Sequence, residues 1–310
     1  MSDCLTPAAA PAAAGNAFAD RLIGIGCALT AIAIWGGWIV STRHAVHGHL
    51  PPVTVGWLRF VVPAVVLAPA WLRIGIWPRR GGFWPFFACF LGAGSFFFLV
   101  VANAMRFVPA ADVGPLLPGT MPLIVALVSV LVFKEWLGMA RAVGFACIAL
   151  GVVTLGGRGV LFPEDGAWRG HLLLLTGAAM WAGYTLAFRR TGMKATETVG
   201  LVGLWSTFIL TPAGLPGVVH AVSDGYGREV LVQLVIQGLL SGVVALVAFG
   251  IAIEKLGSSR AAAFTGLVPA LAALIAVPVL GEHPDGAAIV GVVATGFGVA
   301  LASGAFGRAR

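Results

Sequence analysis

Ten apolar stretches, separated by short polar connections, dominate this sequence of 310 residues. A helix needs about 20 apolar residues to cross the hydrocarbon core of a bilayer, where all of its backbone polar groups must be hydrogen-bonded within the protein. Hydrophobic residues make up 59% of the chain and charged residues 10%, whereas soluble domains have about 45–50% and about 25%. The sequence therefore predicts an all-α membrane protein with ten transmembrane helices.

The connections between the predicted spans contain charges and turn-forming residues. One of them, FPEDGAWRG at residues 162–170, divides the chain into halves. The predicted spans are residues 22–42, 53–75, 83–105, 109–133, 139–157, 169–188, 198–219, 230–253, 259–280 and 285–305. The predicted organisation is a disordered cytosolic tail (1–20), a first five-helix repeat (21–158), a linker (159–168), a second five-helix repeat (169–306) and a cytosolic tail (307–310).

The two halves repeat each other at a nearly constant offset. WGGWIVSTR in the first span aligns with WAGYTLAFR in the sixth at an offset of 146 residues, and the segment from Pro122 to Gly151 aligns with that from Pro269 to Gly298 at an offset of 147. Because each half has an odd number of spans, the second half enters the membrane from the opposite side. The sequence therefore predicts two inverted repeats, an arrangement typical of secondary transporters.

Lys and Arg are distributed unequally between the two ends of the predicted spans. With the amino terminus in the cytosol, thirteen basic residues lie on the cytosolic side and five on the other. Cytosolic connections are enriched in Lys and Arg, so this count predicts a multi-pass protein of the bacterial inner (plasma) membrane with both termini in the cytoplasm. No more than two basic residues are consecutive, which argues against a nucleic-acid partner.

Two aromatic pairs occupy equivalent positions in the first and sixth spans: Trp35 with Trp38, and Trp181 with Tyr184. Residues three apart share one face of a helix, and Trp35 and Trp181 lie past the midplane of their spans. They predict aromatic walls around a central substrate site. The alternatives are helix packing and anchoring at the lipid interface, where Trp and Tyr are enriched.

Prolines interrupt the fourth and ninth spans. Pro118 and Pro122 lie in VGPLLPGTMPL, and Pro269 lies in TGLVPAL. Proline bends a helix and frees a backbone carbonyl, which is tolerated in lipid only where protein or a water-filled cavity satisfies it. Bent helices at matching positions of two repeats indicate a binding site, so these prolines are predicted hinges. A static kink is the alternative.

The other polar residues inside the spans are few. Asn103, Thr120, Gln237, Ser241 and Thr265 are candidates to bind the polar groups of a substrate. Ordinary hydrogen bonds between helices explain these residues equally well.

Charged residues are almost absent from the predicted spans. No acidic residue lies deep inside one, and because ion-coupled carriers typically need an intramembrane carboxylate, transport without ion coupling is predicted. Glu135 and Glu282 end the fourth and ninth spans and are candidate gate or cap residues, or interface residues that pair with loop cations. Arg59, the one basic residue within a span, is predicted either to bind a substrate carboxylate or to snorkel outward.

Features of enzymes and cofactor-binding proteins are missing from the sequence. It has no CxxC pair and no GxxxxGK[ST] phosphate-binding loop, and its spans lack a cluster of His, Asp, Glu, Ser and Lys. We therefore expect no enzymatic activity, no cofactor and no metal. The expected partners are a small-molecule substrate and the lipid bilayer. Glycine stripes in the fifth and tenth spans suit helix packing or a dimer face, which predicts a monomer or a weak homodimer.

Several of these motifs together resemble a known family. WGGW, Arg59, and the segments from Pro122 to Glu135 and from Pro269 to Glu282, each followed by a glycine nine residues after the glutamate, resemble the paired EamA repeats of the drug/metabolite transporter (DMT) superfamily. The resemblance covers roughly residues 21–305. It implies ten helices, of which the first, third, fourth, sixth, eighth and ninth line a central cavity, while hairpins of helices 3–4 and 8–9 rock to give alternating access.

Within this superfamily the chain resembles the YddG-type exporters of amino acids, including aromatic ones. The resemblance implies a secondary transporter that exports small metabolites, foremost amino acids. The alternative is an exporter of drugs or amphipathic lipids, or a lipid scramblase, which the apolar and aromatic residues of the predicted cavity would equally permit.

Overall fold

A computed structural model of the protein describes residues 12–78, 81–108, 110–132, 134, 136–161, 166–271 and 286–302. Within these ranges every regular element is a helix. The helices are α1 (Ala12–His47), α2 (Pro52–Val66), α3 (Ala68–Ile74), α4 (Phe83–Ala93), α5 (Ser95–Ala104), α6 (Ala110–Gly114), α7 (Met121–Leu131), α8 (Gly138–Leu161), α9 (Ala167–Ala187), α10 (Ala195–Ser223), α11 (Gly227–Gln233), α12 (Leu246–Leu256), α13 (Ser258–Thr265) and α14 (Gly286–Ala302).

Most of the predicted spans are present as helices that are long and apolar enough to cross a membrane. Six such segments lie in the described part of the chain: Phe18–His47, Phe83–Ala104, Asp112–Leu131, Ala167–Thr191, Ala195–Ser223 and Gly227–Leu256. A seventh results if α2 and α3, which meet at an angle of 69°, form one crossing. The all-helical membrane fold is therefore confirmed, whereas the number of ten spans stays a prediction.

Proline and glycine account for the main interruptions. Pro69 lies in the first turn of α3, where its missing N–H costs nothing because that group has no acceptor within the helix. Pro115 and Pro118 lie in a π-helical turn, Pro115–Gly119, between α6 and α7. Since proline cannot donate to the carbonyl four residues earlier, the chain follows a wider path there. A second π-helical segment, Leu234–Ala245, joins α11 to α12.

The helices of one half pack chiefly on helices of the other. α8 packs against α14 and α2 against α10, so each of these helices contacts its equivalent in the other half. α7 in the fourth span packs against α13 in the ninth, the equivalent span. In addition, α1 packs against α12, and α9 packs against α4 and α5. This set of contacts is unchanged when the two halves are exchanged, as expected for a structural repeat.

The predicted glycine stripes pack within the chain. A Cβ atom on Gly144 of α8 would lie 2.6 Å from the backbone nitrogen of Ala302, and one on Gly298 of α14 would lie 2.6 Å from the backbone oxygen of Gly144. Distances this short require glycine at both positions. The stripes therefore allow α8 and α14 to approach closely.

Candidate substrate cavity

A small cavity of about 30 Å³ lies between the two halves. Its lining comes from α1, α2, α5, α7, α9, the Pro115–Gly119 turn and the segment after α13: Trp35, Trp38, Ile39, Arg59, Phe97, Leu117, Pro118, Met121, Trp181 and Val268. This volume holds about one water molecule, whereas ligand pockets usually measure about 300–1,000 Å³. The helices are therefore closed around the cavity, and a metabolite needs them to separate before it can bind.

The aromatic residues predicted from the two repeats meet in this cavity. The rings of Trp35 and Trp181 lie edge to face, with centroids 5.0 Å apart. Phe97 lies 5.3 Å from Trp181, and Phe249 lies 5.1 Å from Trp35. The indole Nε1 of Trp181 is buried and has no hydrogen-bond partner. Trp181 thus contributes an aromatic ring to the lining, and its N–H donor is unused.

Trp38 is held by a polar network behind the cavity. Its Nε1 donates to Oε1 of Gln237 at 2.7 Å, and Nε2 of Gln237 donates to Oγ1 of Thr42 at 2.9 Å. One helical turn before Gln237, Oε1 of Gln233 accepts a hydrogen bond from the hydroxyl of Ser41 at 3.1 Å. Gln237 is fully buried and is not one of the lining residues. It therefore fixes the orientation of the Trp38 ring, which is the surface that a ligand would meet.

Arg59 is buried at the cavity, with 1% of its surface exposed, and so does not snorkel outward. Its Nη1 donates to Oγ of Ser241 at 2.7 Å. The guanidinium carbon lies 5.1 Å from the ring centroid of Trp38 and 5.8 Å from that of Phe98, in the range of cation–π attraction. Ser241 therefore contributes to the site through Arg59.

In the described part of the chain, no carboxylate balances the charge of Arg59. None of the three ion pairs between described residues includes it, and its Nε is buried without a hydrogen-bond partner. Removing a cation from water costs several kcal/mol, of which cation–π contacts return only about 2 kcal/mol. An unbalanced buried cation at a cavity is the expected arrangement for a site that binds an anion.

The remaining predicted polar residues bond to their own helices. Asn103 donates to the carbonyl of Leu99 at 2.8 Å, and Thr265 donates to that of Ala262 at 2.7 Å. Thr120 donates to the carbonyl of Leu116 at 2.6 Å, next to the proline turn. None of these three residues lines the cavity. Such bonds satisfy groups that lipid would leave unpaired.

Tyr184 lies beside the cavity and does not line it. Its ring is buried with its centroid 5.0 Å from that of Trp181, and its hydroxyl has no hydrogen-bond partner. Tyr184 therefore supports the Trp181 ring from behind.

The predicted hinge prolines come together where the two repeats meet. Pro118 lines the cavity, and the Cα of Pro269 would lie 3.4 Å from a Cβ atom on Gly114. Pro122 is a buried residue in the first turn of α7. Glu135 and Glu282, the candidate gate or cap residues, lie outside the described residues.

The sequence did not predict a cluster of contacts at the end of the helices that is expected to lie opposite the cytosol. Nε2 of His171 and Oδ2 of Asp112 form an ion pair at 2.8 Å between α9 and α6. His47 Nε2 lies 3.0 Å from the carbonyl oxygen of Met105, and Arg43 donates to the carbonyl of Val108. Asp112 and His171 are 59 residues apart and lie at span ends, where charged residues are ordinary.

We expect Asp112→Asn to loosen this outer closure, because it removes the charge that holds His171. The measurement is the rate at which a membrane-impermeant thiol reagent labels Ile39→Cys, a cavity-lining position, in a variant without native cysteines. The labelling rate should rise several-fold. His49→Ala is the matched control, since His49 lies at the same end and forms a more exposed ion pair with Glu229. Equal rates in wild type and Asp112→Asn would show that the pair does not close this end.

Comparisons with known proteins agree with the repeated architecture. The sequence model of the EamA-like transporter family matches residues 22–157 and again residues 168–304. An uncharacterised transporter of Archaeoglobus fulgidus is 25% identical over 275 residues, which cover 86% of this chain and 93% of that protein. A solved structure, described only as the crystal structure of a protein, aligns with 93% of this chain and 100% of its own at a TM-score of 0.67 and 22% identity. That structure supports the fold alone.

Proposed function

Since this chain belongs to the EamA-like transporter family, we propose that it is a secondary transporter of small carboxylate-bearing metabolites, foremost amino acids and among them aromatic ones. The observation that supports this substrate class is a pair of unused donors. Arg59 Nε and Trp181 Nε1 are buried N–H groups without partners, and both residues line one cavity. An unsatisfied buried donor costs about 1–3 kcal/mol, and a bound carboxylate would accept from both.

The rest of the lining suits the other parts of an amino acid. Trp35, Phe97, Leu117 and Met121 offer apolar and aromatic contacts to a side chain. No lining residue that the structure describes is acidic, so the ammonium group would lie against aromatic faces, which attract cations. A purely apolar ligand would leave Arg59 and Trp181 unsatisfied, and for this reason the cavity favours amino acids over apolar drugs or lipid tails.

Transport occurs by alternating access in this proposal. The closed cavity is much smaller than an amino acid, and the proline-containing parts of the fourth and ninth spans meet beside it at Gly114 and Pro269. Movement of the hairpins formed by helices 3–4 and 8–9 about these positions would open one end and then the other. The basic ends of the helices lie in the cytosol in this proposal, and the protein exports metabolites across the bacterial inner membrane when their cytosolic concentration is the higher one.

The test uses purified protein in liposomes loaded with L-phenylalanine. Exchange with external labelled L-phenylalanine should be saturable and protein-dependent. L-Alanine should compete, whereas phenylethylamine, which lacks the carboxylate, should not. If no amino acid exchanges, or if phenylethylamine competes as well as L-phenylalanine, the proposed substrate class is wrong. Movement of ethidium without movement of amino acids would support the multidrug alternative instead.

A separate prediction concerns the energy source. Because none of the described residues that line the cavity is acidic, neither a pH gradient nor a sodium gradient should drive accumulation of L-phenylalanine above its equilibrium level in these liposomes. Labelled substrate should equalise across the membrane at the same level with and without either gradient. Accumulation driven by a pH gradient would contradict uncoupled transport. Asp112, the one acidic residue that is buried in the described part of the chain, would then be the first carboxylate to replace.

A further inference from the structure

A second and larger cavity opens at the end of the molecule that is predicted to face the cytosol. This basic crevice has a volume of about 650 Å³, within the range of ligand pockets, about 300–1,000 Å³. Its lining comes from α7, α8, α9, α12 and α13: Ser129, Arg141, Leu186, Arg189, Arg190, Leu256, Gly257, Ser258, Ser259 and Arg260. Four of these ten residues are arginines and none is acidic.

The positive charge of the crevice is reinforced by a helix end. α13 begins at Ser258 after Gly257, and no side chain caps it. The first N–H groups of a helix have no acceptor within it, and its N-terminus attracts anions. The hydroxyl of Ser258 donates to the carbonyl of Thr185 at 2.8 Å, which leaves the backbone N–H groups at this end available to a ligand.

Ser129 adds a hydroxyl group to the lining. Its side chain on α7 is 1% exposed and lines the crevice. Arg141 donates to Oγ of the neighbouring Ser259, so this part of the lining is ordered around polar groups. Serine hydroxyl and arginine guanidinium groups together suit an oxyanion, which accepts from both types of donor.

The crevice and the substrate cavity both border α7. On this helix Met121 lines the cavity and Ser129 lines the crevice, and Val125 lies between them on the same helical face. Val125 packs with Ala182 and Ala262 in a small apolar cluster. This cluster therefore separates the crevice from the cavity along α7.

We propose that the basic crevice is a second binding site, which captures the carboxylate group of a metabolite on the cytosolic side before the metabolite passes Val125, Ala182 and Ala262. The passage rests on the proposed transport function, whereas the binding of a carboxylate in the crevice does not. Arginine suits this role because its planar guanidinium binds a carboxylate through two parallel hydrogen bonds.

The test is calorimetric titration of succinate into the full-length protein in nanodiscs of phosphatidylcholine, at constant ionic strength. Wild type should bind succinate, and Arg189→Gln/Arg260→Gln should bind it at least tenfold more weakly. Arg189→Lys/Arg260→Lys, which keeps the charge, should stay within about threefold of wild type. Both arginines are exposed, and thermal unfolding checks that the variants are folded.

A control variant separates the crevice from other exposed arginines. Arg228→Gln removes an exposed arginine at the opposite end and should bind succinate as wild type does. The proposal is overturned if wild type gives no more heat than sodium chloride does, or if Arg228→Gln weakens binding as much as Arg189→Gln/Arg260→Gln does.

Two further measurements address an anionic lipid and the transport path. Phosphatidylglycerol headgroups carry an oxyanion as succinate does. If protein in nanodiscs with 30% of this lipid binds no succinate at any concentration, the crevice is a lipid site and substrate capture is refuted.

In liposomes that exchange L-phenylalanine, Arg189→Gln/Arg260→Gln should raise KM on the cytosolic side severalfold at unchanged kcat. An unchanged KM would refute capture ahead of the cavity, while intact exchange would leave the proposed function standing.

Discussion

Arg59→Gln is expected to abolish exchange of L-phenylalanine and to weaken its binding at least 30-fold. Among the described residues that line the substrate cavity, Arg59 is the one cation, and hydrogen bonds to charged groups contribute about 1.5–3 kcal/mol each. Loss of about 2 kcal/mol corresponds to roughly 30-fold in affinity. The measurement is the increase in melting temperature caused by L-phenylalanine, since a ligand that binds only the folded state stabilises it, together with the exchange rate in liposomes.

The stability of the same variant distinguishes a binding role from a structural one. Arg59 is buried without a carboxylate, and replacement of a buried charge by a neutral group is often neutral or stabilising. Arg59→Gln should therefore melt near or above the wild-type temperature without ligand. Arg59→Lys, which keeps the charge and loses the planar fork, should bind with intermediate affinity. Unchanged binding by Arg59→Gln, or a large fall in its melting temperature, would contradict the binding role.

The sequence predicted those site residues whose positions follow from the repeat. Trp35 and Trp181 are equivalent at an offset of 146 residues. Equivalent residues of two repeats are close in space when both lie near the symmetry axis that relates the repeats. The structure places their rings in contact. Helix length followed in the same way from hydropathy, because a bilayer imposes one length on every span.

Other residues depend on contacts that local spacing does not specify. Gln237 and Trp38 are 199 residues apart, and only the packing of α1 on the Leu234–Ala245 segment decides that the amide holds the indole instead of facing the cavity. For Arg59 the sequence left two environments open, and the aromatic rings of Trp38 and Phe98 that bury it come from two other helices. The hydroxyls of Thr120 and Thr265 donate to carbonyls of their own helices, because these are the nearest acceptors for a hydroxyl in apolar surroundings.

The count of spans shows the limit of hydropathy alone. A window average does not register a bend, and the predicted second span, residues 53–75, contains the 69° angle between α2 and α3. Two of the predicted spans correspond to the shorter apolar helices Gly138–Thr154 and Ile289–Ala302. Hydropathy therefore locates apolar segments reliably. Whether such a segment forms one continuous transmembrane helix depends on where proline and glycine interrupt it.

Trp181→Ala is expected to abolish the binding of L-phenylalanine. The Trp181 ring contacts Trp35, Phe97, Tyr184 and Phe249, with centroids 5.0–5.6 Å apart. Its truncation removes the ring on which the substrate is proposed to stack and leaves a void between the two repeats. Because Trp→Ala changes in a core cost about 3–5 kcal/mol of stability, the melting temperature without ligand should fall as well, and this variant alone would not separate binding from folding.

Trp181→Phe makes that separation, because phenylalanine keeps an aromatic ring and lacks the Nε1–H donor. If this donor bonds the substrate carboxylate, affinity should fall by about 10-fold or more, as expected for a lost hydrogen bond to a charged group, with only a small change in the melting temperature without ligand. Trp136→Ala is the matched control, since Trp136 is 91% exposed and its loss should change neither quantity. Wild-type affinity in Trp181→Phe would mean that Arg59 binds the carboxylate without Trp181. Wild-type affinity in a folded Trp181→Ala would exclude this cavity as the binding site, because no substrate that fills it could avoid contact with that ring.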